Sequence, residues 1–468
     1  MAGMESKANA PLSQVGSQFG VLAGLRQNRY YVKEMIGSGS YGVVCSGVDT
    51  VTNEPVAIKR MHESMSNYRL ASRNLREIKF LRLLSQHENI INMKDLILAP
   101  SRENFSEIFL VLDLMPSDLS VLLRSKTKLQ SNHTKYLMFQ IARAIAFLHG
   151  SGVMHRDLKP SNILVNSKCH LFLCDFGMSR AVLGPHVDSE TNLWTDYVST
   201  RWYRAPELVL NPLRPYTSAI DMWAVGCIFF EILSRGQPLF PSISQWHHLQ
   251  LILALQGFAA FQSLDHIMPP HFKREMAQHA NQTPVSLSEL LPHADPQALD
   301  LTSRMLHVDP LQRISARDAL MHPYLIEFTK QLGYGAPPVV IDQREFEFEG
   351  YGYTEQQMRD AFGREEMFFH GDSGGFSGVD QGRLAQSFEV VAGGFGGKVS
   401  PSTLPAEQSA VVHGEMARAA AMSPDKAAAA GSTRGDPGWG GNKVQSFVMT
   451  SVDENTLTGR SAHNFHVQ

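Results

Sequence analysis

The sequence predicts an α+β protein of two lobes: a small antiparallel sheet crossed by one major helix, followed by a mainly helical lobe. Two observations carry this. Residues 30–97 break into short alternating runs divided by turn residues, with one helical stretch among them, whereas beyond residue 112 the apolar residues recur at helical spacing. A chain of 468 residues that is 43% hydrophobic can bury both lobes and still carry a tail.

Residues 1–28 are rich in Gly, Ser, Gln and Ala and lack a basic head followed by an apolar run, so they read as a flexible N-terminus and not as a secretory signal. Met1-Ala2 excludes the myristoylation pattern. Strands are expected at 31–36, 43–48 and 56–59, where β-branched and aromatic residues alternate on either side of a glycine-rich turn. At 67–85 the period changes: Leu75, Ile78, Leu81 and Leu84 line one helical face while Arg73, Arg76, Lys79 and Arg82 occupy others, with Glu77 beside the apolar stripe. After the apolar run at 109–112, helical periodicity returns at 136–148 and 219–233. The second lobe closes with Asp309-Pro310-Leu311-Gln312-Arg313 and His322-Pro323-Tyr324. Residues 332–370 are mixed and moderately apolar, with Phe346-Glu347-Phe348 and a short helix expected over 354–369, and read as an extension that docks back on the core. From 371 onward Gly-Gly pairs, Ala427 to Ala430 and scattered Ser and Pro leave too few apolar clusters to offset chain entropy, so disorder is expected. The resulting division is 1–28, first lobe 29–113, second lobe 114–328, extension 329–370 and tail 371–468.

Composition excludes several function classes. A net charge of −3, with no run of five Lys or Arg, gives no drive toward nucleic acid or an anionic membrane. No segment reaches the roughly 18 apolar residues that span a bilayer. Cys45, Cys169, Cys174 and Cys227 show no spacing that suggests zinc or a disulfide framework, which suits a reducing compartment; cytoplasm and nucleus are both expected.

The chemistry sits in blocks. Gly37-Ser38-Gly39-Ser40-Tyr41-Gly42 fits a loop whose missing side chains let backbone N–H groups approach phosphate oxygens. Alone it is weak, since a hairpin turn or a dinucleotide-binding fold shows the same glycine spacing; in the latter, however, the glycines open a helix, and here Val43-Val44-Cys45 continues as a strand. Next come Val56-Ala57-Ile58-Lys59, then Glu77 on the helix, then His155-Arg156-Asp157-Leu158-Lys159-Pro160-Ser161-Asn162, Asp175-Phe176-Gly177 and Ala205-Pro206-Glu207.

In that order these blocks resemble the catalytic core of the protein kinases. The resemblance implies that Lys59 meets the α and β phosphates of ATP and is held by Glu77, that Asp157 takes the substrate hydroxyl proton, and that Lys159 neutralises charge on the transferring group. It makes Asn162 and Asp175 the oxygen ligands of Mg²⁺. Ile36, Gly37, Ser38, Gly39, Ser40 and Gly42 would cover the nucleotide, Val44, Ala57 and Leu164 would sandwich the adenine, Leu112 would be the gatekeeper, Asp113 and Met115 the hinge, and Asp118 the ribose contact. Glu207 and Arg313 would form a buried structural ion pair, and His155 and Phe176 read as packing residues. The presence of Lys59, Asp157, Asn162 and Asp175 together argues against a non-catalytic pseudokinase.

Over residues 30–325 the chain is similar to the mitogen-activated protein (MAP) kinases, on Thr195-Asp196-Tyr197 followed by Val198 to Glu207. Cyclin-dependent kinases share Trp202-Tyr203-Arg204-Ala205-Pro206-Glu207 but lack the Tyr two residues after the Thr. Leu112 and the stretches 111–119 and 175–180 look most like the big MAP kinase branch, and the middle residue of the activation motif is Asp196. The resemblance implies dual phosphorylation of Thr195 and Tyr197 by a dual-specificity MAP kinase kinase, reversal by phosphatases, and substrates with Ser or Thr followed by Pro. Arg73, Arg76, Arg156 and Arg180 would receive phospho-Thr195, and Arg201 and Arg204 phospho-Tyr197. A monomer is expected. The family's acidic docking cluster is missing from 326–340, which has Glu327 and Lys330 instead; Asp342, Glu345, Glu347 and Glu349 stand further along, where they either substitute for it or, the preferred reading, form a solvated acidic face. Ser400-Pro401 and Ser423-Pro424 have the form of autophosphorylation sites, and Cys174 reads as a small core residue.

Overall fold

The computed structural model describes residues 29–370 apart from 40–41, 62–64, 66, 126, 128, 182–199, 212–215 and 351. Ser40, Thr195-Asp196-Tyr197, Ser400, Ser423 and the segments 1–28 and 371–468 therefore lie outside the described residues.

Five strands form the small lobe: β1 (Tyr30–Gly39), β2 (Gly42–Asp49), β3 (Glu54–Met61), β4 (Met93–Ala99) and β5 (Glu107–Asp113). Their order is β1-β2-β3-β5-β4 with antiparallel neighbours throughout, so β5 inserts between β3 and β4. That insertion pairs Lys59 with Leu110 and Ala57 with Leu112, which places the expected gatekeeper beside the lysine strand.

Helix α1 (Tyr68–Leu84) starts where Asn67 Oδ1 accepts the amides of Arg69 and Leu70 at 3.1 and 3.3 Å, an N-cap that satisfies two otherwise orphaned donors. Leu75, Ile78, Leu81 and Leu84 are buried under the sheet. Arg76, Glu77 and Lys79 are buried as well. The C-terminal extension pairs with Arg76 and Lys79, and Lys59 with Glu77.

The large lobe continues with the short β6 (Ser117–Asp118), α2 (Leu119–Arg124), α3 (Ser131–Gly150), β7 (Val153–Met154), β8 (Ile163–Val165), β9 (Leu171–Leu173) and β10 (Arg180–Ala181). It then runs through α4 (Pro206–Leu210), α5 (Ala219–Leu233), α6 (Gln245–Gln256), α7 (Pro270–Ala277), α8 (Leu287–Leu290), α9 (Pro296–Met305), α10 (Ala316–Met321) and α11 (Ile326–Leu332). Helix α5 is buried along nearly its whole length, because its residues are apolar all round and both core clusters of the lobe use it. Arg313 donates to Glu207 at 2.9 and 3.1 Å and to the carbonyls of Ala219, Val308 and His307, so the pair is buried and multiply bonded.

The extension passes behind both lobes. Val339 N donates to Ser151 Oγ at 3.0 Å at the end of α3. A 3₁₀ turn (Gln343–Glu349) and helix α12 (Glu355–His370) then lie on α1 and β4. Phe346 faces Phe80 at 4.6 Å between ring centroids, and Phe362 faces Phe105 at 5.7 Å. The expected solvated acidic face is thereby corrected for two of its four residues: Glu345 binds Lys79 and Arg82 at 2.6 and 2.8 Å, and Glu349 is paired with Arg76, while Asp342 and Glu347 are exposed, Asp342 pairing locally with Arg344. The reason is that α1 presents Arg76, Lys79 and Arg82 to this segment, and buried charges must be compensated. Glu365 adds 2.6 and 2.7 Å contacts to the same Lys79 and Arg82.

Candidate active site

The described glycines of the loop end β1, at Gly37 and Gly39, and open β2, at Gly42. Gly42 has φ +138°, and a Cβ there would lie 2.1 Å from the carbonyl oxygen of Arg60, so strand β3 itself demands glycine. Gly37 carries no such demand: a Cβ would meet nothing closer than 3.9 Å. Val44 and Ala57 lie on β2 and β3, and Leu164 on β8 below them. Asp113 ends β5 and Met115 follows it in the connection between the lobes, both partly buried. Asp118 uses Oδ1 to cap α2 through Val121 N at 3.0 Å, which leaves Oδ2 for a ligand.

Lys59 Nζ donates to Glu77 Oε1 at 2.6 Å, and both side chains are buried. Desolvation opposes the charge on Lys59, but the carboxylates of Glu77 and then Asp175 outweigh it and hold the ammonium above its ordinary value. The small lobe thus presents a charged lysine to the cleft.

The loop after β7 carries the rest. Lys159 Nζ and Asn162 Nδ2 donate to Asp157 Oδ2 at 2.7 and 3.1 Å, and Asn162 Nδ2 also reaches the Asp157 carbonyl at 2.8 Å. These bonds fix the carboxylate and leave Asn162 Oδ1 as the acceptor end of its amide. His155 is fully buried: Nδ1 accepts from Asp157 N at 3.3 Å and Nε2 faces the Cys174 carbonyl at 3.1 Å, a neutral ring acting as a strut. The Cys174 thiol is pushed well above its ordinary value by burial and then by Asp175, which makes it an unreactive packing group.

Asp175 sits in a left-handed conformation, φ 64° and ψ 71°. Its Oδ1 is buried without a hydrogen-bond partner among the described residues, yet burial is outweighed by Lys59, Arg73 and Lys159, which hold the carboxyl below its ordinary range. An ionised, buried, uncommitted oxygen is what a hard divalent cation requires. Among the described residues no cluster of three His, Cys, Asp or Glu side chains forms a closed metal cage. Asp175 and Asn162 therefore fit a Mg²⁺ whose remaining ligands are phosphate and water oxygens.

Four arginines converge beside Asp175. Arg76 Nη1 donates to the Gly177 carbonyl at 2.9 Å, Arg156 Nη1 to Met178 at 3.2 Å and Arg180 Nη1 to Ser179 at 2.9 Å. Arg73 covers Gly177, where a Cβ would lie 2.9 Å from its Nε. Arg201 Nη1 donates to the Ile243 carbonyl at 3.1 Å, and the Arg204 carbonyl accepts from His248 at 3.0 Å. Arg204 and Arg156 line, with Asp157, Thr200, Tyr203 and Leu208, one small crevice of about 20 Å³.

Two functional groups escape a reading of the sequence alone. Asp221 of α5 is buried and accepts the backbone amides of His155 and Arg156, both at 2.8 Å, and also binds His149 at 3.0 Å. It holds Arg156 at its φ of 71° and so shapes the loop bearing Asp157. Its signal was a carboxylate early in a helix whose only other charged residue is Glu231. Glu349, which the sequence shows only as one of several acidic residues, is the other.

The fold and this constellation define a protein kinase, and the sequence profile that matches residues 30–325 is that of the protein kinase domain. The chain is 42% identical over 345 residues to mitogen-activated protein kinase 10 of Oryza sativa subsp. japonica, covering 73% of this chain and 55% of that protein. It is 41% identical to mitogen-activated protein kinase 20 of Arabidopsis thaliana over 73% of this chain and 56% of the relative. With mitogen-activated protein kinase 1 of Oryza sativa subsp. japonica it shares 42% identity over 339 residues, which is 81% of that protein. The chain spans little more than half the length of the first two relatives. The chain belongs to the mitogen-activated protein kinase family.

Proposed function

We propose that the chain is a proline-directed serine/threonine protein kinase that transfers the γ-phosphoryl group of ATP, with Mg²⁺, to Ser or Thr followed by Pro. The observation that carries the reading is the closed Lys59–Glu77 pair at 2.6 Å facing an Asp157 held by Lys159 and Asn162. Asn162 and Asp175 would hold a Mg²⁺ ion, which would supply neutralisation of the charge that develops on the phosphate. Asp157 receives the substrate hydroxyl proton on the oxygen that its two donors leave open, and Lys159 stays within reach of the transferring group. Lys59, held charged by Glu77, orients the α and β phosphates, and Asn162 and Asp175 supply metal ligands. A turnover of about 1 to 100 per second is ordinary for such a site.

The switch belongs to the same proposal. Phosphate on Thr195 adds about −1.5 to −2 charge, and the arginine cluster of Arg73, Arg76, Arg156 and Arg180 supplies its donors. Phosphate on Tyr197 would be met by Arg201 and Arg204. An upstream MAP kinase kinase installs both and phosphatases remove them, on a monomer in the cytoplasm and nucleus. The test is an assay of the pure full chain on a Ser-Pro peptide and its Ser-Ala counterpart, before and after treatment with an activating dual-specificity kinase. Treatment should raise the rate by orders of magnitude on Ser-Pro alone. Equal rates on both peptides, or a doubly substituted Thr195→Ala, Tyr197→Phe chain that matches the treated wild type, would sink it.

A further inference from the structure

Glu349, the last residue of the 3₁₀ turn in the extension, reaches into the arginine cluster. It binds Nε of Arg76 on α1 and lies 3.5 Å from Nε of Arg180, just after the Asp175-Phe176-Gly177 turn. Arg76 is thus gripped twice, by Glu349 through Nε and by the Gly177 carbonyl through Nη1 at 2.9 Å. Its chain neighbour is Glu77, whose carboxylate holds Lys59 at 2.6 Å. An outward movement of α1 that parts Glu77 from Lys59 must therefore also draw Arg76 off the Gly177 carbonyl and part Glu349 from either Arg76 or Arg180.

Charge explains why a carboxylate is needed there. Burial pushes the Arg76 guanidinium below its ordinary value, and repulsion from Arg180 adds to this, with Glu349 opposing both. Arginine remains charged all the same, so without an anion the like charges on α1 and on β10 repel across the joint that must stay closed.

We propose that Glu349 is a positioning residue for phosphoryl transfer: by bridging Arg76 and Arg180 it keeps α1 against the turn bearing Asp175, and so keeps Glu77 on Lys59 before Thr195 is phosphorylated. The proposal rests on the reading above that phospho-Thr195 binds this cluster. The phosphate and the Glu349 carboxylate then share donors, and each covers for the other.

The test uses the full chain, unphosphorylated and doubly phosphorylated, as wild type, Glu349→Gln and Glu349→Asp, with kcat, KM for ATP and KM for a Ser-Pro peptide measured separately. Glutamine keeps the volume and removes the charge; aspartate keeps the charge. In the unphosphorylated chain, E349Q should lose about tenfold in kcat/KM for ATP, the size of one charged hydrogen bond, with peptide KM unmoved and E349D recovering most of the loss. After dual phosphorylation the gap should close to within about twofold. E349Q matching or exceeding unphosphorylated wild type overturns the proposal, the second outcome making Glu349 a plug that phosphate must evict. A tenfold loss that persists after phosphorylation, or E349D as poor as E349Q, overturns it too. If wild type gains nothing on phosphorylation, the switch reading falls, while an E349Q loss in the unphosphorylated chain still upholds the bridge.

Discussion

Gly42 and Gly37 stand in the same loop and look alike in the sequence, but only one of them is forced. At Gly42 a methyl group would collide with the Arg60 carbonyl at 2.1 Å in a backbone conformation that side chains avoid. We expect Gly42→Ala to cost about 1–3 kcal/mol in urea unfolding and to raise the KM for ATP, while Gly37→Ala stays within about 0.5 kcal/mol of wild type. Equal costs at the two positions would refute the steric account. Glu231 of α5 gives a second test at this scale. Tyr203 Oη donates to its Oε2 at 2.7 Å, and burial pushes the carboxyl up to about 7 from an ordinary 4.5. The folded state thus holds a proton that the unfolded chain has released above pH 4.5, so stability falls as pH rises from about 4.5 to 7. Glu231→Gln keeps an acceptor for Tyr203 and removes that dependence. Its unfolding midpoint should exceed wild type at pH 8, by at most about 3 kcal/mol, and converge with it near pH 4.5. A difference that does not vary with pH rules the explanation out.

Among the elements, α1 shows how far the sequence can be read. The run 67–85 shows its apolar stripe, and the helix indeed spans Tyr68–Leu84, opened by a cap at Asn67 that the periodicity did not single out. The same holds for α5, whose residues 219–233 are helical as periodicity proposed. What periodicity could not show is the partner of a charged face. Arg76, Lys79 and Arg82 look solvated in one dimension; only folding brings Glu345, Glu349 and Glu365, more than 260 residues away, onto them. Asp221 was obscure for the same reason, since its two amide donors come from a distant loop. Residues that act through backbone leave little trace in pattern, whereas those that touch ligand recur in recognisable blocks. Phe346 tests the grip on α1, for its buried ring packs against Phe80, which in turn faces Phe176 at 6.4 Å. Phe346→Ala should destabilise the protein by about 3–5 kcal/mol, as large-to-small core changes do, and raise the KM for ATP through a loosened Lys59–Glu77 pair. A variant that unfolds like wild type would show that the extension merely rests on the helix.

For the whole molecule, the extension is a strap. It leaves the large lobe at α11, touches the end of α3 through Ser151, and finishes on the small lobe, where His370 binds Asp95 of β4 at 2.8 Å and Glu366 binds Arg102 at 2.7 Å. Phe346, Phe348, Met358, Ala361 and Phe362 are all buried by it. At about 1.5–3 kcal/mol for each large side chain, this contact is comparable with the 5–15 kcal/mol that holds a domain folded. The small lobe has one major helix and a single sheet, and loses cover on both when the strap is removed. The large lobe shares one cluster with α1 and the strap but keeps a second of its own around α4, α5 and α6. A chain ending at Ile341 should therefore unfold in two steps where the full chain shows a tighter coupling. Amide exchange should locate the damage: β4 and α1 lose protection by several orders of magnitude, while α3 and α5 keep theirs. Uniform loss across both lobes would mean that the strap stabilises a single cooperative unit, and undiminished protection in α1 would mean that the small lobe positions Glu77 unaided.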